Sequence, residues 1–276
     1  MTDRYAVIGN PIAHSKSPDI HALFAQQTAQ DIAYTRLLAP LEGFREEVTK
    51  FFAKGGRGAN VTVPFKLEAH DLAHEVSQRA KDARAANLLK CEDGRIFADN
   101  TDGAGLLRDL TENIGAALAG KRLLLIGAGG AAQGVLVPLL ETQPAILAIV
   151  NRTVEKAMRL AENLRRNPLA THTVISGRSF DDLQDQHFDV VINATSSSLS
   201  GEVPPLPEGL FESGALAYDM MYGASITPFL AFARNQGVTR LADGLGMLVE
   251  QAAESFQIWR GIRPDTAPVI AALRKA

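Results

Sequence analysis

The sequence predicts an α/β protein built from two α/β domains, and three observations carry that expectation. Short apolar runs alternate with helix-length stretches through the first hundred residues, the pattern of a mostly parallel sheet. The alternation restarts after Asp102. Within the second series, the apolar run Leu123–Ile126 is followed directly by Gly127-Ala128-Gly129-Gly130-Ala131-Ala132. That is the strand, glycine turn and helix of a dinucleotide site, G-x-G-x-x-A, in which glycine lets the backbone approach a pyrophosphate at the helix start.

In order, Tyr5–Ile8 reads as a strand, Pro18–Gln27 as a helix and Ile32–Leu38 as a strand. Leu41–Lys54 is a helical stretch with a glycine-rich exit at Gly55, Gly56 and Gly58. Asn60–Val63 alternates like a short strand, and Pro64 stands where proline best opens a helix. Helical sequence then runs through Arg79, and Asp93-Gly94 marks a hairpin. In the second series a helix from Gly105 to Ile114 precedes the strand Arg122–Ile126. Further strands are Ile146–Val150, Thr173–Ile175, Val190–Asn193 and Ala215–Asp219, with helices at Ala131–Leu140, Val154–Arg165 and Pro228–Asn235. This sheet reads as smaller than a full dinucleotide fold. Met247–Trp259 and Pro264–Arg274 are closing amphipathic helices that could pack on either domain.

The bulk numbers narrow the function. A chain of 276 residues accommodates two domains, and 46% apolar with 21% charged residues is ordinary for a soluble protein. A net charge of −3 gives no electrostatic reason for a nucleic-acid or membrane partner. The single cysteine, Cys91, excludes an internal disulfide and fits a reducing, cytoplasmic setting. No signal-peptide core follows Asp3 and Arg4. The uncharged stretch Leu123–Leu140 approaches the ~20 residues of a membrane span, but its glycines and Pro138 break it into strand, turn and helix. His70 and His74 are four apart on one helical stretch without a third ligand, so no metal is expected. A monomer or a homodimer fits equally.

Lys66 stands in the first turn of its helix, where the dipole disfavours a cation. A residue placed against a local rule is a candidate for work, the alternative being a solvated surface lysine. About twenty residues beyond the glycines, an NAD site would place a carboxylate. Here stand Asn151-Arg152-Thr153 and then Lys156. Two cations suit a 2′-phosphate and favour NADP(H), the alternative being a solvated helix start. Ser17 before Pro18 is a natural helix cap, yet with Ser15 it also offers two hydroxyls to a carboxylate. Asn87 and the segment Asp99–Gly103 are polar enough to be turns and caps, with Asp102 open between cap and catalysis.

Together these segments resemble shikimate dehydrogenase. The resemblance rests on Gly9–Pro11, His14–Pro18, Asn60–Lys66, Asn100–Gly103, Gly127–Ala132, Asn151–Thr153, Asn193–Ser197, Tyr218–Met220 and Asp243–Met247, all in one order. It implies NADPH-dependent, reversible reduction of 3-dehydroshikimate to shikimate on the route to aromatic amino acids. It further implies a substrate domain of residues 1–102 and 238–276 around a Rossmann-type NADP domain of 103–237. Lys66 and Asp102 match the pair flanking the reacting oxygen, Lys66 as acid and base. Ser15 and Ser17 match the carboxylate-binding hydroxyls, while Thr62, Asn87, Asp102 and Gln251 match groups on the ring hydroxyls. On the cofactor side the matches are Gly127, Ala128, Gly129, Gly130 and Ala131, then Asn151, Arg152, Thr153 and Lys156, with Thr195. Met220 and Gly244 match nicotinamide positions, and Tyr222 a substrate-side aromatic. Ala22, Ala86, Leu88 and Ser198 depart from the family pattern. Two rivals stand beside this reading: a quinate/shikimate enzyme using either cofactor, and a cofactor-sensing module that has lost catalysis.

Overall fold

The computed structural model describes residues 2–275. Its contacts divide the chain into two units, Met1–Gly105 with Leu248–Ala276, and Leu106–Met247. The return to the first unit comes ten residues later than the expected 238. The reason is a strand that the sequence reading missed, β12, which pairs with the second unit's sheet.

In the first unit the elements are β1 (Asp3–Gly9), α1 (Ser17–Thr28), β2 (Ile32–Leu38), α2 (Phe44–Ala53), β3 (Gly56–Val61) and α3 (Lys66–Leu72). They continue with β4 (Glu75–Val76), α4 (Gln78–Ala83), β5 (Leu88–Glu92), β6 (Arg95–Asp99) and the start of α5 (Asp102–Arg108). The sheet order is β2-β1-β3-β5-β6-β4, and β5 alone runs against the rest. The expected hairpin joins β5 to β6, with Asp93 (φ 49°) and Gly94 (φ 74°) in the doubly left-handed turn that matches strand twist.

Three expectations change here. The single helical stretch through Arg79 is broken: α3 stops at Leu72, β4 intervenes, and Ser77 caps α4 by accepting from the Ala80 amide. Pro64 follows a cis peptide two residues ahead of α3 and does not open it. Gly56 and Gly58 lie inside β3, where a Cβ would strike the Phe51 ring or the Trp259 indole at 2.4 Å. They are glycines because two aromatic side chains pack onto that strand. One face of the sheet buries Phe44, Val48, Phe51 and Phe65. On another cluster Ile20 and Phe24 of α1 meet Val249 and Phe256 of α9 (Leu245–Arg260) and Val269 of α10 (Ala267–Lys275). Each such side chain contributes about 1.5–3 kcal/mol by burial.

The second unit holds the remainder of α5, one π-type turn (Asp109–Asn113), β7 (Arg122–Ile126), α6 (Gly130–Glu141), β8 (Ile146–Val150) and α7 (Val154–Arg165). Then come β9 (Val174–Arg178), β10 (Phe188–Asn193), β11 (Phe211–Asp219), α8 (Pro228–Asn235) and β12 (Arg240–Asp243). All pairings are parallel in the order β12-β11-β10-β7-β8-β9. Counted from β7 this is 3-2-1-4-5-6, the complete doubly wound dinucleotide sheet and not a reduced one. β12 escaped detection because its Arg-Leu-Ala-Asp carries one large apolar residue at a sheet edge. Helix α6 runs through Pro138, so the glycine turn alone, and not the proline, divides the uncharged stretch into strand, turn and helix. Among the described residues no helix is long and apolar enough to cross a membrane.

Candidate active site

In the first unit, parallel strands deliver their C-terminal loops to one edge of the sheet. β1 leads into the Asn10–Lys16 loop, β3 into Thr62–Phe65, and β6 into Asn100 and Thr101. Because β5 is reversed, its beginning lies at the same edge, with Leu88 opposite both Asn60 and Asp99. Asn87, just before β5, therefore joins the cluster. The one antiparallel strand has a function in this sense.

Lys66 is the first residue of α3, and its Nζ lies 2.5 Å from Asp102 Oδ2. The two side chains are 19% and 9% exposed, so water screens the pair weakly. Asn87 Nδ2 donates to the other carboxylate oxygen at 2.8 Å, to Thr101 Oγ1 at 3.0 Å and to Gln251 Oε1 at 3.2 Å. Asp102 is no cap. It opens α5 while the Asn100 side chain accepts its amide and Thr101 O receives the Gly105 amide. Thr101, to which the sequence reading gave no role, is fully buried and donates its amide to Asn87 Oδ1 at 2.8 Å. The signal was a lone threonine inside the Asp99–Gly103 segment, which spacing alone does not separate from a turn. Asn60 was likewise unassigned; it holds Asn87 O, Ser255 Oγ and the Tyr34 hydroxyl.

Ser15 and Ser17 are brought together, Oγ to Oγ 3.1 Å; Ser17 is the first residue of α1 and not its cap, and its amide donates to Ser15 Oγ at 3.3 Å. Arg36 fixes their loop by two bonds to Ser15 O, at 2.6 and 3.0 Å. Thr62 packs its methyl against the Cα of Gly9, where a Cβ would come within 2.4 Å. The two strand ends are thereby locked side by side. His70 and His74 do not share a helix, since His74 lies beyond α3 and accepts the Ile96 amide. Among the described residues no group of His, Cys, Asp or Glu could hold a metal ion.

In the second unit the glycine turn lies between β7 and α6, at the switch point where β10 takes the other side. Gly127 is held at φ +115° against Thr195 and Ala194, a backbone conformation that other residues rarely adopt. Added Cβ atoms on Gly129 or Gly130 would meet nothing within 4 Å, and α6 has no side-chain cap. Its first amides are open to an anion. Asn151, Arg152, Thr153 and Lys156 surround the start of α7, with Arg152 and Lys156 exposed. Thr195 Oγ1 donates to Asn193 Oδ1 at 2.7 Å. Met220 follows β11, and a Cβ on Gly244 would fall 2.1 Å from Met220 O, so those two segments touch backbone to backbone. Tyr222 is half-buried, and burial pushes its hydroxyl pKa up, keeping it a neutral donor. An open cradle, two exposed cations at the start of α7 and a required glycine fit a phosphorylated dinucleotide.

Comparison with known proteins agrees. Residues 7–89 match the shikimate dehydrogenase substrate binding domain. Residues 109–200 match shikimate / quinate 5-dehydrogenase, and residues 244–274 the shikimate 5'-dehydrogenase C-terminal domain. A protein of Methylobacillus flagellatus named shikimate dehydrogenase (NADP(+)) is 61% identical, over 99% of this chain and 100% of its own. The chain belongs to the shikimate dehydrogenase family. An Ael1 enzyme from Pseudomonas putida shares its fold at TM-score 0.91 and 52% identity, over 99% of this chain and 98% of that one. Shikimate 5-dehydrogenase from Thermus thermophilus, solved with NADP(H) and shikimate, superposes at TM-score 0.86 with 30% identity, covering 99% of each chain.

The departures from the family pattern have local explanations. Ala22 is exposed on α1. Ala86 is fully buried and donates its amide to Lys66 O at 2.8 Å, and Leu88 packs with Tyr5 and Trp259. Ser198 donates to Asp219 Oδ2 at 2.7 Å, supporting the buried carboxylate that precedes Met220.

Proposed function

We propose that this protein is an NADP-dependent shikimate dehydrogenase that reversibly reduces 3-dehydroshikimate to shikimate in aromatic amino-acid biosynthesis. The observation that carries the reading is the Lys66–Asp102 pair at 2.5 Å, weakly exposed and bridged by Asn87 to Gln251. When bound, NADPH supplies the hydride to the ketone carbon. Lys66 as the ammonium donates the proton that the developing alkoxide needs, and in reverse its amine accepts that proton. Asp102 aims the Nζ, and Asn87 fixes the carboxylate. Ser15 and Ser17 take the substrate carboxylate. Thr62, Asn87 and Gln251 take the ring hydroxyls, and Tyr222 donates on the substrate side.

The cofactor is held by the Gly127–Ala131 turn at its pyrophosphate and by Asn151, Arg152, Thr153 and Lys156 at its 2′-phosphate. Thr195, Met220 and Gly244 line the nicotinamide end. Residues 1–105 with 248–276 form the substrate domain and residues 106–247 the NADP domain, bounds that follow the contact division. The enzyme acts in the cytoplasm, consistent with one free thiol, Cys91, whose pKa burial raises.

The test is a steady-state assay of shikimate and quinate, each with NADP+ and NAD+, read by absorbance of the reduced cofactor. Turnover of shikimate with NADP+ at the highest kcat/KM supports the reading, and no absorbance change with that pair refutes it. In the same assay Arg152→Ala raises KM for NADP+ about tenfold or more, the size of a lost charge-assisted phosphate contact, with kcat little changed. An unchanged KM would assign Arg152 to the surface.

A further inference from the structure

Resting on that reaction, we infer that Arg79 is a positioning residue that keeps Gln251 and Asp102 in register with each other. Arg79, on α4, grips two carboxylates at once. Its Nε and Nη2 donate to the two oxygens of Asp99, at 3.2 and 2.5 Å, and its Nη1 donates to Glu254 Oε1 at 2.9 Å.

Each carboxylate leads to one end of the proposed site. Asp99 ends β6 and is almost fully buried. It also accepts from Ser77 Oγ at 2.5 Å and from the Asn100 amide at 2.7 Å. The Asn100 side chain in turn accepts the amide of Asp102 at 3.1 Å and donates to Ala85 O at 3.0 Å. The orientation of Asp99 is thus passed to Asp102 through Asn100. On the other side, Glu254 and Gln251 lie three apart on α9, on one face. The second oxygen of Glu254 is held by Arg263 at 2.7 Å. Arg263 also holds Glu250 at 2.8 Å, and Glu250 accepts from Thr266 at 2.5 Å.

Charges alternate along this line, so no carboxylate in it lacks a cation. The helix turn carrying Gln251 is clamped from both flanks, at Glu250 and Glu254. Precision matters there because Gln251 Oε1 reaches Asn87 and Thr101 only at 3.2 and 3.3 Å. A shift of about half an ångström would break those contacts. A guanidinium suits the position because its planar fork meets two carboxylates in fixed directions, which an ammonium does not.

The inference is tested on the full chain with Arg79→Ala, Gln251→Ala and the double variant, assayed with shikimate and NADP+. Arg79→Ala is expected to lower kcat/KM for shikimate about tenfold, chiefly through KM, a coupling typical within one hydrogen-bonded network. KM for NADP+ stays unchanged, and added guanidinium chloride restores part of the loss. In the Gln251→Ala background the same substitution lowers kcat/KM by a clearly smaller factor, the part that passes through Asp99 and Asn100 to Asp102. Equal effects in both backgrounds, or an equal rise in KM for NADP+, overturn the inference. Should Arg79→Ala fail to fold, Arg79→Lys is put through the same cycle; it keeps the charge and loses the fork. A few-fold loss that shrinks without Gln251 supports positioning, and a loss of equal size in both backgrounds refutes it. An additive cycle in an active enzyme refutes this inference alone, whereas an inactive parent refutes it together with the proposed reaction.

Discussion

Lys66→Ala lowers kcat for shikimate oxidation by at least ~10², with a smaller change in KM, the scale of a lost acid–base group. The size follows from where Lys66 stands. It opens α3 against the helix dipole, 19% exposed, with Asp102 Oδ2 at 2.5 Å. No second ammonium or guanidinium is within the hydrogen-bond set around Asp102 among the described residues, so no neighbour takes over the proton. Removing the lysine leaves Asp102 without its cation, although Asn87 still donates to Oδ1. Some stability is lost for that reason, because an uncompensated buried charge is costly. Urea denaturation beside the kinetics separates the two effects: a folded variant with kcat reduced ~10² supports catalysis. A kcat within a few-fold of the parent would remove Lys66 from the mechanism. Asp102→Asn then discriminates further. It keeps the hydrogen bond to Asn87 in shape but not the charge that aims Nζ, so kcat falls more than KM rises.

Much of this was legible in the sequence, and the reasons differ element by element. The strands Arg122–Ile126 and Ile146–Val150 lie where read because their apolar runs end at Gly127 and Asn151, and Ile32–Leu38 lies where read as well, ending two residues before Pro40. The helices Val154–Arg165 and Pro228–Asn235 do too, bounded by Thr153 and by Thr227, whose hydroxyl caps the latter. What failed was decided by tertiary contact. Gly56 and Gly58 look like a helix exit until Phe51 and Trp259 are seen packed on them. Arg240–Asp243 has too little apolar character to declare a strand, and only pairing with β11 makes it one. The chemistry followed the same division. Single residue types with a local anomaly, such as Lys66 and the Gly127–Ala132 turn, stood out. Thr101, Asn60 and Arg79 did not, because their significance lies in partners 14 to 195 residues away.

Stability falls as pH drops below 6.5, and His21 causes a large share of that fall. The imidazole is fully buried, stacked on Tyr34 at 4.3 Å between centroids, with Phe24 and Trp259 at 5.9 and 5.4 Å. Neither ring nitrogen makes a hydrogen bond of good geometry among the described residues, and the Asn60 side chain beside the ring offsets the burial only in part. Burial pushes its pKa down from 6.5 to about 3. The folded chain therefore takes up this proton only near 3, while the unfolded chain already takes it up near 6.5. Between those values the unfolded state binds more protons, so acid favours it. The slope reaches ~1.4 kcal/mol per pH unit, or about 2 kcal/mol between neutral pH and pH 5. That is a sizeable part of the ~5–15 kcal/mol a folded domain commands. His21→Phe keeps an aromatic ring in the stack and removes the titrating group. Urea midpoints at about pH 7.5 and about pH 5 are expected to separate strongly for the parent and by ~2 kcal/mol less for the variant. All other titrating groups are common to both proteins, so the difference isolates His21. Equal pH dependence in the two would mean that the imidazole gains a proton in the folded state, by local opening of α1 or by admitting water.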